Sequence, residues 1–277
     1  MKKIEEIKNK KLKGERIVML TAYDYPFACF LDEVGVDIIL VGDSLANVLL
    51  GLSSTREVGM KEMLHHVRAV VRGAQNTMVV ADMPFEAYQN GPQQAVENAR
   101  QFLNEGCHAI KMEWFEGCLD VFSAVIKAGI PLMGHVGLTP QSVLEQKGMK
   151  VQGKDLESGR LIIKNAKVLE DIGCFSVLLE CVPMELAKII TARLKVPTIG
   201  VGAGVYCDGQ VLVVHDILGL FKGRSPKFSK KYIDLLPLIK QAVEQYKKEV
   251  LAGEFPDDAH SFHMPSDEVK KLGSLKF

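Results

Sequence analysis

Four short apolar runs in this chain each stop on an acid. Residues 37–44 read DIILVGDS, 77–82 TMVVAD, 109–113 AIKME and 176–180 SVLLE. A brief, nearly continuous apolar run bounded by turn residues is the pattern of a strand buried on both faces. Such strands belong to parallel sheets fed by helices, and acids that close them collect at one rim, the carboxyl end, where α/β proteins bind ligands. The pattern therefore constrains both the fold and the place of the site: a parallel sheet with a ring of carboxylates at its rim.

The rest of the chain keeps the same rhythm. Strands are expected over 17–22, 37–41, 78–81, 109–112, 131–134, 176–179 and 197–201, with the fifth ending on His135. An eighth is expected somewhere within 210–218. Helices are expected over 25–34, 60–72, 92–104, 119–127, 156–172 and 184–194, several closed by glycine or opened by proline. A short polar helix over 3–12 precedes the first strand. A long amphipathic stretch over 229–250 follows the last, capped by Ser229 and kinked or divided at Pro237. About eight strand–helix alternations with no composition shift point to one (β/α)8 TIM barrel over residues 1–277, with a polar tail from about residue 252. A doubly wound open sheet is the alternative that pattern alone leaves. The irregular stretch 136–155, with four glycines or prolines in its path, is long enough to suggest a functional loop.

The 34 basic and 34 acidic residues cancel, which removes the electrostatic footprint expected of a nucleic-acid binder and favours a small-molecule partner. None of the six cysteines forms a CxxC pair, a usage that fits reduced thiols in a cytoplasmic enzyme. The first sixteen residues are charged throughout, unlike a signal peptide, and no run of about 18 apolar residues offers a membrane span.

Asp43, Asp82 and Glu113 close three successive strands. Three oxygen ligands on adjacent strand ends suit a hard cation such as magnesium, which takes few carboxylates and leaves positions for substrate oxygens. Each acid alone is equally a helix N-cap, but clustered carboxylates without compensation repel one another. Lys111 lies two residues before Glu113 and so points to the same side of its strand. It holds a substrate carboxylate, forms a salt bridge to one of the acids, or does both. Glu180, on the sixth strand and apart from the metal group, is free to act as a general base, or else caps a helix. Ser44 can donate a hydrogen bond to a bound carboxylate.

Other features read as structural. The glycine-rich IGVGAG after the seventh strand lacks the spacing of a phosphate loop and reads as tight rim packing. His135 and the pair His215-Asp216 fall near strand ends and read as hydrogen-bonded structural residues. His65 and His66 read as surface residues. His260 and His263, in HSFH, have chelating spacing but sit in a polar tail.

The sequence as a whole closely resembles one family. TAYDYPFA, LVGDSLANVLLG, ADMPF, GHVGLTPQS, KVQGKD, LLECVPMELAKIIT, IGVGAG, DGQVLVVHDILG and HSFH occur in this order between about Lys3 and His263. Together they resemble the ketopantoate hydroxymethyltransferase family, of which GHVGLTPQS and LLECVP are the most specific signals. The resemblance implies a magnesium-dependent (β/α)8 enzyme of the phosphoenolpyruvate/pyruvate superfamily. Such an enzyme transfers a one-carbon unit from 5,10-methylenetetrahydrofolate to 3-methyl-2-oxobutanoate, giving 2-dehydropantoate in pantothenate and coenzyme A synthesis.

By matching position, the resemblance assigns Asp43, Asp82 and Glu113 to the metal, the last two partly through water. It assigns Asp43, Ser44, Asp82 and Lys111 to the keto acid, and Glu180 as the base. It also implies a homodecamer of two stacked pentameric rings. A carbon–carbon lyase on the same metal–keto-acid platform is the alternative, although no KKCGH-like loop is present. Two stretches depart from the family's usual pattern: SSTREV at 53–58 and Trp114-Phe115 after Glu113. Both bear on the shape of the rim near the folate.

Overall fold

A computed structural model describes residues 2–141, 150–220 and 226–275. Its centre is a closed barrel of eight parallel strands in sequential order: β1 (Ile17–Thr21), β2 (Ile38–Val41), β3 (Met78–Asp82), β4 (Ala109–Glu113), β5 (Leu132–Gly137), β6 (Ser176–Glu180), β7 (Thr198–Val201) and β8 (Gly209–Leu212). The first strand pairs with the last, through Ile17↔Gly209 to Leu20↔Leu212, which closes the ring and excludes the open-sheet alternative.

The helices are α1 (Lys2–Lys13), α2 (Tyr25–Val34), α3 (Leu45–Val48), α4 (Met60–Gly73), α5 (Pro92–Asn104), α6 (Leu119–Lys127), α7 (Leu156–Asp171), α8 (Met184–Arg193), α9 (Val214–Leu218), α10 (Leu236–Ala252) and α11 (Ser266–Gly273). Local chemistry sets several of their ends. Asp24 and Asp155 accept hydrogen bonds from the first-turn amides of α2 and α7, and Gly35, in the left-handed region, closes α2.

Side chains pointing into the barrel are apolar in its lower and middle layers, formed by Ile17, Met19, Ile38, Leu40, Met78 and Val80 among others. Ile4 and Ile7 of α1 join that cluster and plug the amino end. A larger cluster lies between the strands and the surrounding helices. Burying a Leu, Ile or Phe side chain is worth about 1.5–3 kcal/mol, so these two layers carry most of the barrel's stability.

Several expectations need correction. β5 runs to Gly137, so His135 lies within the strand rather than after it. The eighth strand occupies Gly209–Leu212, and the remainder of the expected segment forms α9. The long C-terminal helix starts at Leu236, with Pro237 in its first turn and not at a kink. Proline is at home there because first-turn amides have no helical acceptor. The tail holds a further helix, α11. Of the 136–155 stretch, residues 142–149 lie outside the described residues.

Candidate active site

Strand parity builds the site. On β3, β4, β5 and β6 the inward positions run 78–80–82, 109–111–113, 133–135–137 and 176–178–180, starting among the apolar residues that fill the barrel. The last inward positions exchange apolar side chains for Asp82, Lys111, Glu113, His135 and Glu180. Register brings them level: Asp82 pairs with Lys111, Glu113 with His135, and Gly137 with Glu180. The top layer of the barrel is thus charged, and it faces the carboxyl rim.

Asp82, Lys111, Glu113 and His135 are all buried, none more than 4% exposed. Lys111 Nζ lies 2.5 Å from Asp82 Oδ1, so the salt-bridge reading of Lys111 holds. Asp82 Oδ2 accepts the backbone N–H of Asp43 at 3.3 Å, which ties the end of β3 to the loop after β2. Asp43 Oδ2 is buried without a hydrogen-bond partner among the described residues. An orphaned carboxylate oxygen beside a buried acid is costly unless something positive meets it. Ser44 sits beside Asp43 with its hydroxyl 2.8 Å from the hydroxyl of buried Tyr23.

Glu113 is held from two sides. Its Oε2 accepts the Gln141 amide at 3.0 Å, and its backbone amide donates to the Tyr88 hydroxyl at 3.1 Å. Its other oxygen, Oε1, is 3.5 Å from His135 Nδ1, while His135 Nε2 is 3.3 Å from Glu180 Oε2. The imidazole therefore stands between two carboxylates, with neither ring nitrogen in good hydrogen-bond geometry. Glu180 is the more open of the two acids, its side chain 16% exposed.

The backbone at the ends of β5 and β6 is special. Gly137 has φ +101°, and a Cβ there would stand 2.2 Å from the Glu180 carbonyl oxygen, so no other residue fits without moving the strand that carries Glu180. Cys181, directly after Glu180, has φ +47°, the one non-glycine left-handed residue among those described. Such strain at a non-glycine residue concentrates at functional positions.

The charge states follow from burial and neighbours. Burial pushes Asp82 up to about 7, against the pull of Lys111 and with the help of Asp43. Burial pushes Glu180 up to about 8, again with Lys111 opposing and Asp43 adding. Glu113 is raised well above the usual carboxylate range, chiefly by burial and by the neighbouring acids. Burial disfavours the Lys111 charge, but Asp82, Asp43 and Glu113 outweigh it and hold the ammonium. Burial and Lys111 keep His135 neutral, well below its ordinary value. Among the described residues the cleft thus gathers four carboxyl groups, Asp43, Asp82, Glu113 and Glu180, around one Lys111 ammonium, and a divalent cation placed among them would favour their ionised forms.

All six candidate residues meet at this rim. Asp43, Ser44, Asp82 and Lys111 form one group. Glu180 stands on the other side of Glu113 and His135. Among the described residues no group of three or more His, Cys, Asp and Glu side chains is drawn together as a ready metal cage. A magnesium site here would therefore rest on one or two direct carboxylates, with water and substrate oxygens completing it. His135 is the residue that sequence reasoning sets aside. Its signal is its parity with Met133 and Gly137 on a strand between two acid-bearing neighbours.

Features read as structural are so placed. Gly202 and Gly204 of IGVGAG adopt left-handed φ where a Cβ would run into Phe228 and Met184, which is rim packing. His215 packs against Tyr23 and Phe27, but its Nδ1 is buried with no hydrogen-bond partner among the described residues, a correction to its hydrogen-bonded reading. His260 and His263 pair with Asp257 and Asp258 rather than converging. His65 is exposed, but His66 is half-buried and its Nδ1 lies 2.7 Å from the Tyr23 carbonyl, a correction to its surface reading. All six cysteines are free. The departing 53–58 stretch forms a 3-10 turn, Thr55–Glu57, with Ser54 and Glu57 in a reciprocal capping box. Phe115 joins Phe85, Tyr88 and Phe122 in an aromatic cluster behind Glu113. Among the described residues no helix is long and apolar enough to cross a membrane.

The fold has many solved counterparts. Phosphonopyruvate hydrolase superposes with a TM-score of 0.62 over 99% of this chain and 95% of that one, at 13% identity. 2,3-Dimethylmalate lyase, of the PEP mutase/isocitrate lyase superfamily, gives 0.58 over 98% of each chain, also at 13% identity. At that identity the likeness is one of fold. Sequence relatives are far nearer. The 3-methyl-2-oxobutanoate hydroxymethyltransferase of Syntrophomonas wolfei is 50% identical over 270 residues, 97% of this chain and 98% of that protein. The enzyme of the same name from Syntrophus aciditrophicus is 54% identical over 257 residues, 92% of this chain and 94% of that protein. The family model for ketopantoate hydroxymethyltransferase matches residues 1–258, and the chain belongs to that family.

Proposed function

We propose that this protein is a 3-methyl-2-oxobutanoate hydroxymethyltransferase that uses 5,10-methylenetetrahydrofolate as the one-carbon donor and magnesium as the metal, and forms 2-dehydropantoate for pantothenate and coenzyme A synthesis in the cytoplasm. The observation that carries it is the division of the acids at one rim: Asp43 and Asp82 beside Lys111, and Glu180 on the far side of Glu113 and His135. Binding and proton abstraction need such a division, since a base tied to the cation would lose its basicity. Family membership and about 50% identity to relatives bearing the name support the same reaction. The family resemblance also carries the homodecamer.

Asp43 is the direct ligand in this reading, with Asp82 and Glu113 acting partly through water. The donor set is all oxygen, and the unpartnered Asp43 Oδ2 gives it a ready position. A bound magnesium supplies Lewis-acid stabilisation of negative charge on the keto oxygen, worth several kcal/mol.

The chain's own groups do the rest. Lys111 and Ser44 hold the keto-acid carboxylate and so orient C3 toward Glu180. Glu180 then takes the C3 proton. A carboxyl raised to about 8 is a far stronger base, once ionised, than an ordinary carboxylate near 4. His135 positions that carboxylate. Water cleaves both C–N bonds of the folate's methylene bridge, leaving tetrahydrofolate and the one-carbon unit as formaldehyde. The carbon nucleophile adds to that carbonyl carbon, and the alkoxide so formed takes a proton to become the hydroxymethyl group.

The test is product formation. Purified protein with 3-methyl-2-oxobutanoate, 5,10-methylenetetrahydrofolate and magnesium should yield 2-dehydropantoate by mass spectrometry, and a chelator should abolish it. Absence of product with all three present would overturn the reading.

A further inference from the structure

The top of the barrel is charged on one side only. On β3 to β6 the last inward positions carry the acids, Lys111 and His135. At the ends of β1 and β2 hydroxyls take their place: Thr21, Tyr23 and Ser44. Thr21 closes β1, and Tyr23 lies two residues on, on the same side by the alternation of an extended chain. Tyr23 is 1% exposed, and it is fixed from two directions. His66 of α4 gives its Nδ1 hydrogen to the Tyr23 carbonyl at 2.7 Å, since a carbonyl only accepts. His215 of α9 lies against the phenol ring, centroids 5.5 Å apart.

The hydrogens of these hydroxyls can be followed one by one. Thr21 Oγ1 accepts the backbone amide of Val214 at 3.0 Å. Thr21 is buried, so its own hydrogen has to find an acceptor inside the protein, and among the described residues the phenol oxygen of Tyr23 provides it. Tyr23 Oη then gives its hydrogen to Ser44 Oγ, 2.8 Å away. Burial holds the phenol above its ordinary value, so that hydrogen stays in place through the neutral range. Ser44 is half-buried at the rim, and its side chain has no other hydrogen-bond partner among the described residues. Of the three hydroxyls it is the one that can turn its hydrogen outward. A backbone amide opens the row and cannot be reversed. The row therefore runs one way, from Val214 through Thr21 and Tyr23 to Ser44.

We infer that Tyr23 is a positioning residue for the keto acid: through Ser44 it fixes a hydrogen-bond donor at the substrate carboxylate. The inference rests on the proposed reading of Lys111 and Ser44 as the partners of that carboxylate. Lys111 alone would leave the carboxylate free to swing, because its ammonium is already engaged by Asp82 and a point charge sets no angle. A second donor whose hydrogen cannot turn away supplies the angle. Donation along a row of hydroxyls also strengthens the last bond of the row. Tyr23 touches no reacting atom and acts through Ser44.

Calorimetric titration with 3-methyl-2-oxobutanoate in the presence of magnesium, paired with steady-state kinetics, tests it. Tyr23→Phe keeps the ring against His215 and removes one oxygen, and circular dichroism should show it folded. Its dissociation constant for the keto acid should rise roughly three- to tenfold, with KM for the folate within about twofold of wild type. Ser44→Ala should weaken keto-acid binding at least as much. The deciding comparison is the double variant. In the Ser44→Ala background, Tyr23→Phe should cost less than about twofold, because the hydrogen it directs is already gone. Ser44→Thr, which keeps a hydroxyl, should restore the sensitivity to Tyr23→Phe. Thr21→Val, one bond further from the substrate, should show the same dependence on Ser44 and serves where Tyr23→Phe does not fold. Binding by Tyr23→Phe equal to wild type, or a loss that adds in full to that of Ser44→Ala, would overturn the inference and leave the proposed reaction standing. Wild-type protein that binds no keto acid would overturn the reading of the site and the inference together.

Discussion

His135 Nε2 lies 3.3 Å from Glu180 Oε2, across neighbouring strands and at the open edge of a buried acid cluster. The imidazole is itself buried and neutral, and Glu113 flanks its other nitrogen. In the proposed mechanism proton chemistry at the rim centres on Glu180, with the His135 ring as its positioning neighbour.

Glu180→Gln keeps the shape of the side chain and removes its basicity. Turnover should fall by roughly 10²–10⁴-fold, the usual worth of a general base, while keto-acid binding persists. Steady-state kinetics with a separate binding titration checks this. Near-wild-type turnover would remove Glu180 from the mechanism.

His135→Phe preserves a ring but removes both nitrogens. Because His135 positions Glu180, kcat should fall with little change in KM, and the pH profile governed by Glu180 should move. His135→Gln should restore part of the loss. An unchanged pH profile would leave His135 a packing residue.

Asp82→Ala removes the partner of a buried lysine. Metal-dependent keto-acid binding should be lost, and stability should fall by about 3–5 kcal/mol because Lys111 is left charged and unpaired. Adding Lys111→Met should recover much of the stability but none of the binding. Denaturant unfolding and a magnesium titration followed calorimetrically separate the two effects.

Much of this site is legible in the sequence. Lys111 and Glu113 sit two residues apart on a strand, so their common side follows from the pleat, and the acid-ended runs point to the rim that holds the site. His135 escapes such reasoning because its meaning lies in register: opposite Glu113 on one side and one strand from Glu180 on the other. No local pattern encodes that. The barrel is likewise legible from its alternation, except near its closure. β8 has four residues and a glycine start, too short for periodicity to mark, and Pro237 looks like a break in a helix that it in fact opens.

Stability should depend on pH in a defined window when divalent cations are absent. Asp82 and Glu180 have folded-state values raised to about 7 and about 8. Their contribution is full below about pH 4, near the unfolded value, is lost progressively as pH rises from there to those folded values, and changes no further above them. Asp32 and Glu170, whose values are lowered, have finished titrating above about pH 5 and do not confuse the window. Up to about pH 6.5 the lowered His108, His135 and His215 act in the opposite sense, so with a chelator the fall in thermal midpoint should show between about pH 6.5 and 8, at about 2–4 °C per kcal/mol for a chain of this size. Magnesium should flatten the fall. A midpoint that rises across the window with chelator present would contradict these charge states.

The most direct measurement of the central claim is proton NMR of 3-methyl-2-oxobutanoate in D₂O with the enzyme and magnesium, with and without the folate. The account predicts magnesium-dependent loss of the C3 proton signal, absent in Glu180→Gln, and 2-dehydropantoate once 5,10-methylenetetrahydrofolate is added. Retention of the C3 proton under both conditions would contradict it.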